Sequence, residues 1–259
     1  MASPFSEHDS PPPGPGPGDT LVSPKLCTSK QVLGWFTDSM RMFKLAPGAW
    51  IGAMMVWFII MLFFSMVPLV GSFLSSIGNY VLIAGLMKGC QAVHDGHKFE
   101  VKYLFAGFAV HLPKLIFLSV ITTVISALVI WITVGPTYLN VVMSDSGTLP
   151  PGTNIMELSL SFLIAMALLI PLMMALWFAP VLIVLQNLSV LEALRMSFKG
   201  CFINTLPFLI YGLITLPLFI MGVLTLGLGL LVVMPIIFIS IFVSYRQIFI
   251  SDDSSVFAC

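Results

Sequence analysis

"GCFINTLPFLIYG", residues Gly200 to Gly212, joins a polar helical stretch to a long apolar one through a proline, with no linker between them. Lys199 stands just before it and Asn204 inside it. Proline disfavours helix for the residue that precedes it, yet suits the first turn of a new helix. The stretch therefore reads as one helix ending and another starting in a new direction. The same junction occurs as "KLAPGAW" (Lys44–Trp50) and as "HLPKLIF" (His111–Phe117). Pro47, Pro113 and Pro207 are each expected to end a helix that lies along a surface and to start one that leaves it.

The residues before each proline fit that reading. Before Pro47, Val32, Leu33, Phe36, Met40 and Phe43 recur at helical spacing, with Lys30, Asp38 and Arg41 opposite. Before Pro113, Val101, Leu104, Phe105 and Phe108 repeat the pattern; before Pro207, Leu191, Leu194, Phe198 and Cys201 face one way and Glu192, Arg195 and Lys199 the other. An apolar stripe with a charged back is the pattern of a helix in a membrane interface. Thr28–Gln31 and Ser189–Glu192 have the spacing of helix-starting capping boxes.

Each proline leads into apolar sequence. Six stretches stand out: Ala49–Val67, Val70–Met87, Leu115–Val134, Leu158–Leu185, Thr205–Leu226 and Leu230–Tyr245. None contains Asp, Glu, Lys, Arg or His, and a spanning helix needs about 20 residues, with about 17 as the lower bound. The whole chain is 58% hydrophobic and 8% charged, against roughly 45–50% and 25% for a soluble domain. So few charges cannot cover so large a core in water, and lipid is the solvent that makes the composition sensible.

All 11 basic residues fall on one side of a six-span arrangement. They lie before the first span, between the second and third, between the fourth and fifth, and after the sixth. The opposite connections, at Pro68–Leu69, Gly135–Glu157 and Gly227–Gly229, carry none. Because cytoplasmic loops retain Lys and Arg, both termini are expected in the cytoplasm. The expected fold is an all-α membrane protein: six transmembrane helices in three hairpins, each preceded by an amphipathic interfacial helix. Residues 29–250 form that domain, 251–259 a short cytoplasmic tail, and 1–28 a disordered Pro/Gly-rich cytoplasmic tail containing "SPPPGPGPGD" (Ser10–Asp19). Such a run stays extended and solvated, or docks a proline-binding partner. It has no basic start followed by an apolar run, so it does not read as a signal peptide.

Trp177–Gly212, "WFAPVLIVLQNLSVLEALRMSFKGCFINTLPFLIYG", with "FVSYRQIF" (Phe242–Phe249) and "LFAGF" (Leu104–Phe108), resembles a bacterial family of polytopic inner-membrane proteins without an assigned activity. That family is loosely akin to YciC-like proteins and to the membrane domains of glycerophosphodiester phosphodiesterases. The resemblance implies an inner-membrane location and supplies no catalytic residue.

The candidate sites follow from side-chain chemistry. His94 and His97 of "HDGH", with Glu100 nearby, are the candidate metal ligands, but zinc usually needs three or four protein ligands and the same residues form an ordinary turn. No cofactor is expected. Cys27, Cys90, Cys201 and Cys259 are too scattered for a zinc site or a disulfide framework, and Cys259 has no room for a prenylation motif. Zero net charge gives no nucleic-acid footprint. No nucleophile elbow, phosphate loop or dinucleotide fingerprint occurs. The spans lack the ionisable residues on which ion-coupled transport usually relies. Asn79, Asn204 and Tyr211 are the candidate binding residues; Asn204 is also placed to cap the fifth span. Gly85 and Gly89 offer a small-residue packing face. The expected function is a non-enzymatic scaffold or assembly factor whose partners are membrane lipids and other membrane proteins or a second copy. The alternatives are a transporter or channel for a neutral or lipid-like solute, and an intramembrane enzyme.

Overall fold

The computed structural model describes residues 20–67, 70–135 and 155–251. The Pro/Gly run, Pro68–Leu69, the greater part of the 135–157 connection and residues 252–259 lie outside them. The described residues form helices α1 (Ser29–Leu45), α2 (Pro47–Ser65), α3 (Val70–His94), α4 (Ala106–Ala109), α5 (Leu112–Thr133), α6 (Ile155–Trp177), α7 (Ala179–Gln186), α8 (Val190–Ile203), α9 (Thr205–Leu224) and α10 (Leu230–Phe249). A 3-10 turn, Val101–Phe105, leads into α4. Extended pairing among the described residues is a single antiparallel bridge between Leu21 and Ile250.

Among the described residues six segments are long and apolar enough to cross a membrane: α2, α3, α5, α6 with α7, α9 and α10. Each overlaps one expected span. Two run further: α3 passes Met87 to His94, and α10 passes Tyr245 to Phe249, so Lys88 and Arg246 fall within these helices and are buried. Pro180 interrupts the fourth segment, because it lacks the N–H that would continue the ladder. Phe178 separates α6 from α7 there. Its backbone N–H donates instead to Ser197 Oγ at 3.0 Å, and Ser197 Oγ donates to the Met174 carbonyl at 2.8 Å. Helices α6, α9 and α10 continue through Pro171, Pro217 and Pro235.

The core gathers at one end of the molecule. It is built from the second half of α3, all of α7, the second half of α10, and the inner faces of α1 and α8. Small residues let these elements approach. A Cβ on Gly85 would overlap the Leu104 carbonyl oxygen, one on Gly107 the Val81 carbonyl oxygen, and one on Gly89 the Phe99 ring. Gly85 and Gly89 thus seat the 99–109 segment on α3, a partner that helical spacing alone did not identify. That segment departs from the expected amphipathic helix: it is a 3-10 turn and a single helical turn. Leu104 is fully buried, whereas Phe105 and Phe108 stack on the outside, 6.4 Å apart.

Both other pre-proline segments are helices, and both capping boxes form. Gln31 Oε1 accepts from the Thr28 N–H at 2.6 Å, and Glu192 Oε2 from the Ser189 N–H at 3.1 Å. The packing faces differ from those expected. α1 buries Val32, Trp35, Ser39, Met42 and Phe43, leaving Leu33 and Met40 outside. α8 buries Val190, Ala193, Ser197, Gly200 and Cys201, leaving Leu191, Phe198 and Phe202 outside. In α8 the large apolar residues mark the outer flank and small ones the inner, whereas the inner flank of α1 carries Trp35, Met42 and Phe43.

Candidate functional site

The three prolines sit where the chain turns. Pro47 opens α2 after Ala46, and Pro113 lies in the first turn of α5 after His111, whose φ of 53° breaks the preceding path. Pro207 is the third residue of α9 and is buried. Without an N–H it cannot bond the Ile203 carbonyl, so the ladder fails at Asn204.

Asn204 does not cap α9; no side-chain capping bond forms there. Its fully buried amide reaches the chain's N-terminal segment instead. Oδ1 accepts from the Cys27 N–H at 2.7 Å, and Nδ2 donates to the Lys25 carbonyl and the Gly200 carbonyl, both at 2.9 Å. The physical reason is competition: a buried amide that can satisfy two backbone groups of the N-terminal strap gains more than one that caps a helix already started by proline. Residues 20–28 are consequently held in place rather than belonging to a free tail. Val22 and Lys25 donate backbone N–H groups to the Phe249 and Ile248 carbonyls at 2.8 and 2.9 Å. Lys25 Nζ reaches the Ile250 carbonyl at 3.1 Å, and Trp35 Nε1 donates to Gln247 Oε1 at 2.8 Å. Burial pushes the Cys27 thiol up to about 11, with the nearby Lys25 charge opposing.

Tyr211 lies about two helical turns along α9 from Asn204 and is buried. Its hydroxyl shares a 2.7 Å hydrogen bond with Ser240 of α10. Its ring stacks on Phe36 at 5.1 Å and meets Trp177 edge-on at 6.0 Å. On the Trp177 side lies a groove of ≈ 510 Å³ between α6 and α9, whose lining includes Met173, Trp177, Cys201, Phe208, Gly212 and Phe219. A smaller space of ≈ 170 Å³ lies between α1, α9 and α10. Asn79 is half-buried on α3 and lines neither. The candidate binding residues are therefore not brought together: Asn204 belongs to the strap, Tyr211 to the groove floor, and Asn79 to another helix.

"HDGH" closes α3. Gly96 takes φ 86° and donates its N–H to the Val93 carbonyl, while the His97 N–H reaches the Ala92 carbonyl at 2.9 Å. These paired bonds are a Schellman-type helix end, which requires a residue at positive φ and uses the glycine for it. His94 packs its ring 6.3 Å from that of Phe242. Among the described residues no three His, Cys, Asp or Glu side chains converge.

Spacing did not reveal the polar ties between helices. Ser76 of α3 meets Ser119 and Thr123 of α5 at 2.8 and 3.1 Å, and the Tyr80 hydroxyl donates to Thr122 at 3.2 Å. Gln186 Nε2 donates to the Tyr245 hydroxyl at 2.8 Å. Lys114 Nζ donates to the Asn187 carbonyl and to Asn187 Oδ1 at 2.9 and 2.7 Å and to the Leu188 carbonyl at 3.1 Å, closing the end of α7 from α5. The only signal in the sequence was an αL-tolerant Asn after an apolar run.

No family model matches the chain, and no solved structure matches it significantly. The chain is similar to a probable inner membrane protein of Burkholderia thailandensis, 28% identical over 190 residues that cover 70% of each chain.

Proposed function

We propose that this chain is a non-enzymatic integral protein of the bacterial inner (cytoplasmic) membrane, a scaffold or assembly factor that acts through helix and lipid contacts. The observation that carries the reading is how its intramembrane hydroxyls are used. Tyr211 with Ser240, Ser76 with Ser119, Tyr80 with Thr122 and Gln186 with Tyr245 each join two helices. Such bonds hold helices together where the alternative is an unsatisfied group in hydrocarbon. Polar groups that bind a solute would instead turn toward a shared wet space. The name of the similar Burkholderia protein supports the location, as does the likeness of Trp177–Gly212 to the bacterial inner-membrane family.

In this reading the spans pair as α2 with α3, α5 with α6–α7, and α9 with α10, with both termini cytoplasmic. Helices α1 and α8 lie in the cytoplasmic interface. Their outer apolar flanks (Leu33 is 60% exposed and Phe202 65%) enter the acyl region, while Lys30, Arg41, Arg195 and Lys199 meet headgroups. Reporters fused after Lys30, Lys98, Lys199 and Arg246 should report cytoplasm, and one after Ser146 the opposite side. A cytoplasmic signal at Ser146 would overturn the topology. Purification in mild detergent, with identification of co-purifying proteins and lipids, tests the scaffold role. A chain that brings down no protein partner and no second copy argues against it.

The second reading is transport of a lipid-like solute, favoured by the ≈ 510 Å³ groove beside Tyr211. Movement of a fluorescent lipid between leaflets of vesicles holding the purified protein would favour transport over a scaffold.

A further inference from the structure

One face of α3 changes character halfway along the helix. At about 100° per residue, positions 72, 75, 79, 82 and 86 share that face. Leu82 and Leu86 are buried. Toward the start of the helix Ser72 is exposed, and Ser75 and Asn79 are half-buried. The other sides of α3 are accounted for. Gly78 packs on Phe64 and Met61 of α2, Ser76 and Tyr80 bond α5, and Gly85 seats the 99–109 segment. Helices α7 and α10 also pack on α3, so the face of Leu82 and Leu86 is the one turned toward them. Phe73 and Leu74, the exposed large side chains nearby, point about 120° and 140° away from Asn79. Asn79 therefore faces into the bundle.

Ser72, Ser75 and Asn79 form no side-chain hydrogen bond with any described residue. That sets them apart. On the neighbouring flank Ser76 bonds Ser119 and Thr123, and Tyr80 bonds Thr122. Ser240 and Ser244 of α10 donate to carbonyls of their own helix. Asn79 lies about 14 Å along the helix from Val70 at 1.5 Å per residue, near the middle of a hydrocarbon layer about 30 Å thick. An amide carries two donors and an acceptor, and at that depth polar groups are satisfied within the protein or line a water-filled cavity. The six apolar stretches hold no ionisable residue, so this wall offers nothing to pair with a charge.

We infer that this face of α3 lines a water-filled cleft, open at the end where α3 begins and closed toward the basic end by Leu82 and Leu86. Asn79 stands at its floor and binds small uncharged solutes that both donate and accept hydrogen bonds. The proposal rests on the membrane-embedded reading of the chain. It leaves the interhelical ties intact, because none of the three residues belongs to one.

Ser72→Cys, Ser75→Cys and Asn79→Cys are made singly in the full chain, with Phe73→Cys and Leu74→Cys as lipid-facing controls. Each is reconstituted into vesicles and treated with an uncharged hydroxyethyl thiosulfonate, and labelled sites are located by peptide mapping. Reaction needs the thiolate, and so needs water. Positions 72, 75 and 79 should label, in falling order of rate, with the controls slower by about ten-fold or more. At position 79, sulfonate and trimethylammonium reagents should be slower than the uncharged one by about ten-fold or more, each rate taken relative to a free thiol. Glycerol, which donates and accepts, should slow the labelling of Ser75→Cys more than sucrose of equal osmolality, and Asn79→Leu should cancel that protection. The two serine variants are close to isosteric, so the pattern is readable even where Asn79→Cys fails to insert. Positions 72 and 75 as slow as the controls overturn the cleft but leave membrane insertion standing. Fast labelling of the controls too overturns both. Charged and uncharged reagents reacting alike at position 79, or glycerol protection that is absent or survives Asn79→Leu, overturns the binding role.

Discussion

The end of the molecule that carries the basic residues and the end that carries none are built by different rules. Half of the second and fourth spans and 61% of the sixth are buried, against 17% of the first, third and fifth. Those buried residues cluster toward His94, Gln186 and Phe249, at the basic end, where α1, α8 and the 99–109 segment wedge in. Toward Phe63, Trp131, Leu160 and Leu224 the helices present large apolar side chains outward. Mean hydropathy does not separate the two: α2 at 2.0 is peripheral, α10 at 1.9 is central, and both reach into each zone. In lipid, apolar surface alone does not draw helices together. Close approach needs small residues and polar ties. Between segments distant in sequence Gly85, Gly89, Gly107, Ser197 and Gly200 supply it at the basic end, whereas the tight glycines toward the other end, Gly71, Gly222 and Gly229, meet residues close to them in the chain.

The contrast breaks most sharply at glycine. Gly107→Val should cost the most, since the new side chain must displace the Val81 carbonyl on α3; overpacking of this kind costs about 1–3 kcal/mol or more. The expected result is loss of monodisperse protein in detergent. Gly212→Ala, facing open space on α9, should instead raise thermal stability by roughly 0.5–1 kcal/mol through helix propensity. Equal losses at both positions would show that the outer zone is packed after all.

Next in size is the strap. Asn204→Leu removes three hydrogen bonds and leaves the buried Cys27 N–H unsatisfied, a cost of about 1–3 kcal/mol. The readout is Cys27. In the parent, burial holds its thiol near 11, so maleimide labelling at pH 8 should be slow; in the variant it should be fast. The raised value also sets the pH dependence. The docked strap retains the proton, so its stability is complete below the ordinary thiol pKa and is lost as pH rises from about 9 toward 11. Parent labelling should accelerate through that window by more than thiolate fraction alone requires. Labelling unaffected by Asn204→Leu would mean that the clamp does not hold the strap.

Pro207→Ala is smaller. The proline occupies the first turn of α9, so no interior bond is at stake, and the change should fall well short of the ~3 kcal/mol of a mid-helix proline. Asn204 stays tied to residues 25 and 27, so the break should persist. Cysteines introduced at Arg195 and Lys199 should still label from the cytoplasmic side. Labels protected like membrane core would indicate one continuous helix. The smallest effect is expected for His94→Gln with His97→Gln. The helix end there is made by Gly96 and backbone bonds, so thermal stability should move by less than about 0.5 kcal/mol. Loss of a stoichiometric metal from purified protein would instead make the turn a site.

By itself the sequence determined the class, the six apolar segments, the segregation of Lys and Arg, and the turns at Pro47, Pro113 and Pro207. Each of these is local: it depends on composition over about 20 residues or on a backbone that cannot donate a hydrogen bond. The partner of Asn204 was not legible, because Cys27 lies 177 residues away and an Asn beside a helix start is equally suited to capping it. Nor was the identity of the inner faces of α1 and α8. Leu33 and Phe202 are exposed while Val32 and Cys201 are buried, and an apolar stripe does not say which flank packs where apolar surface alone does not draw helices together. Only the tertiary structure decided that, by bringing Trp35 to Gln247 and Gly200 to Phe249, where a hydrogen bond and close contact outweigh what lipid offers.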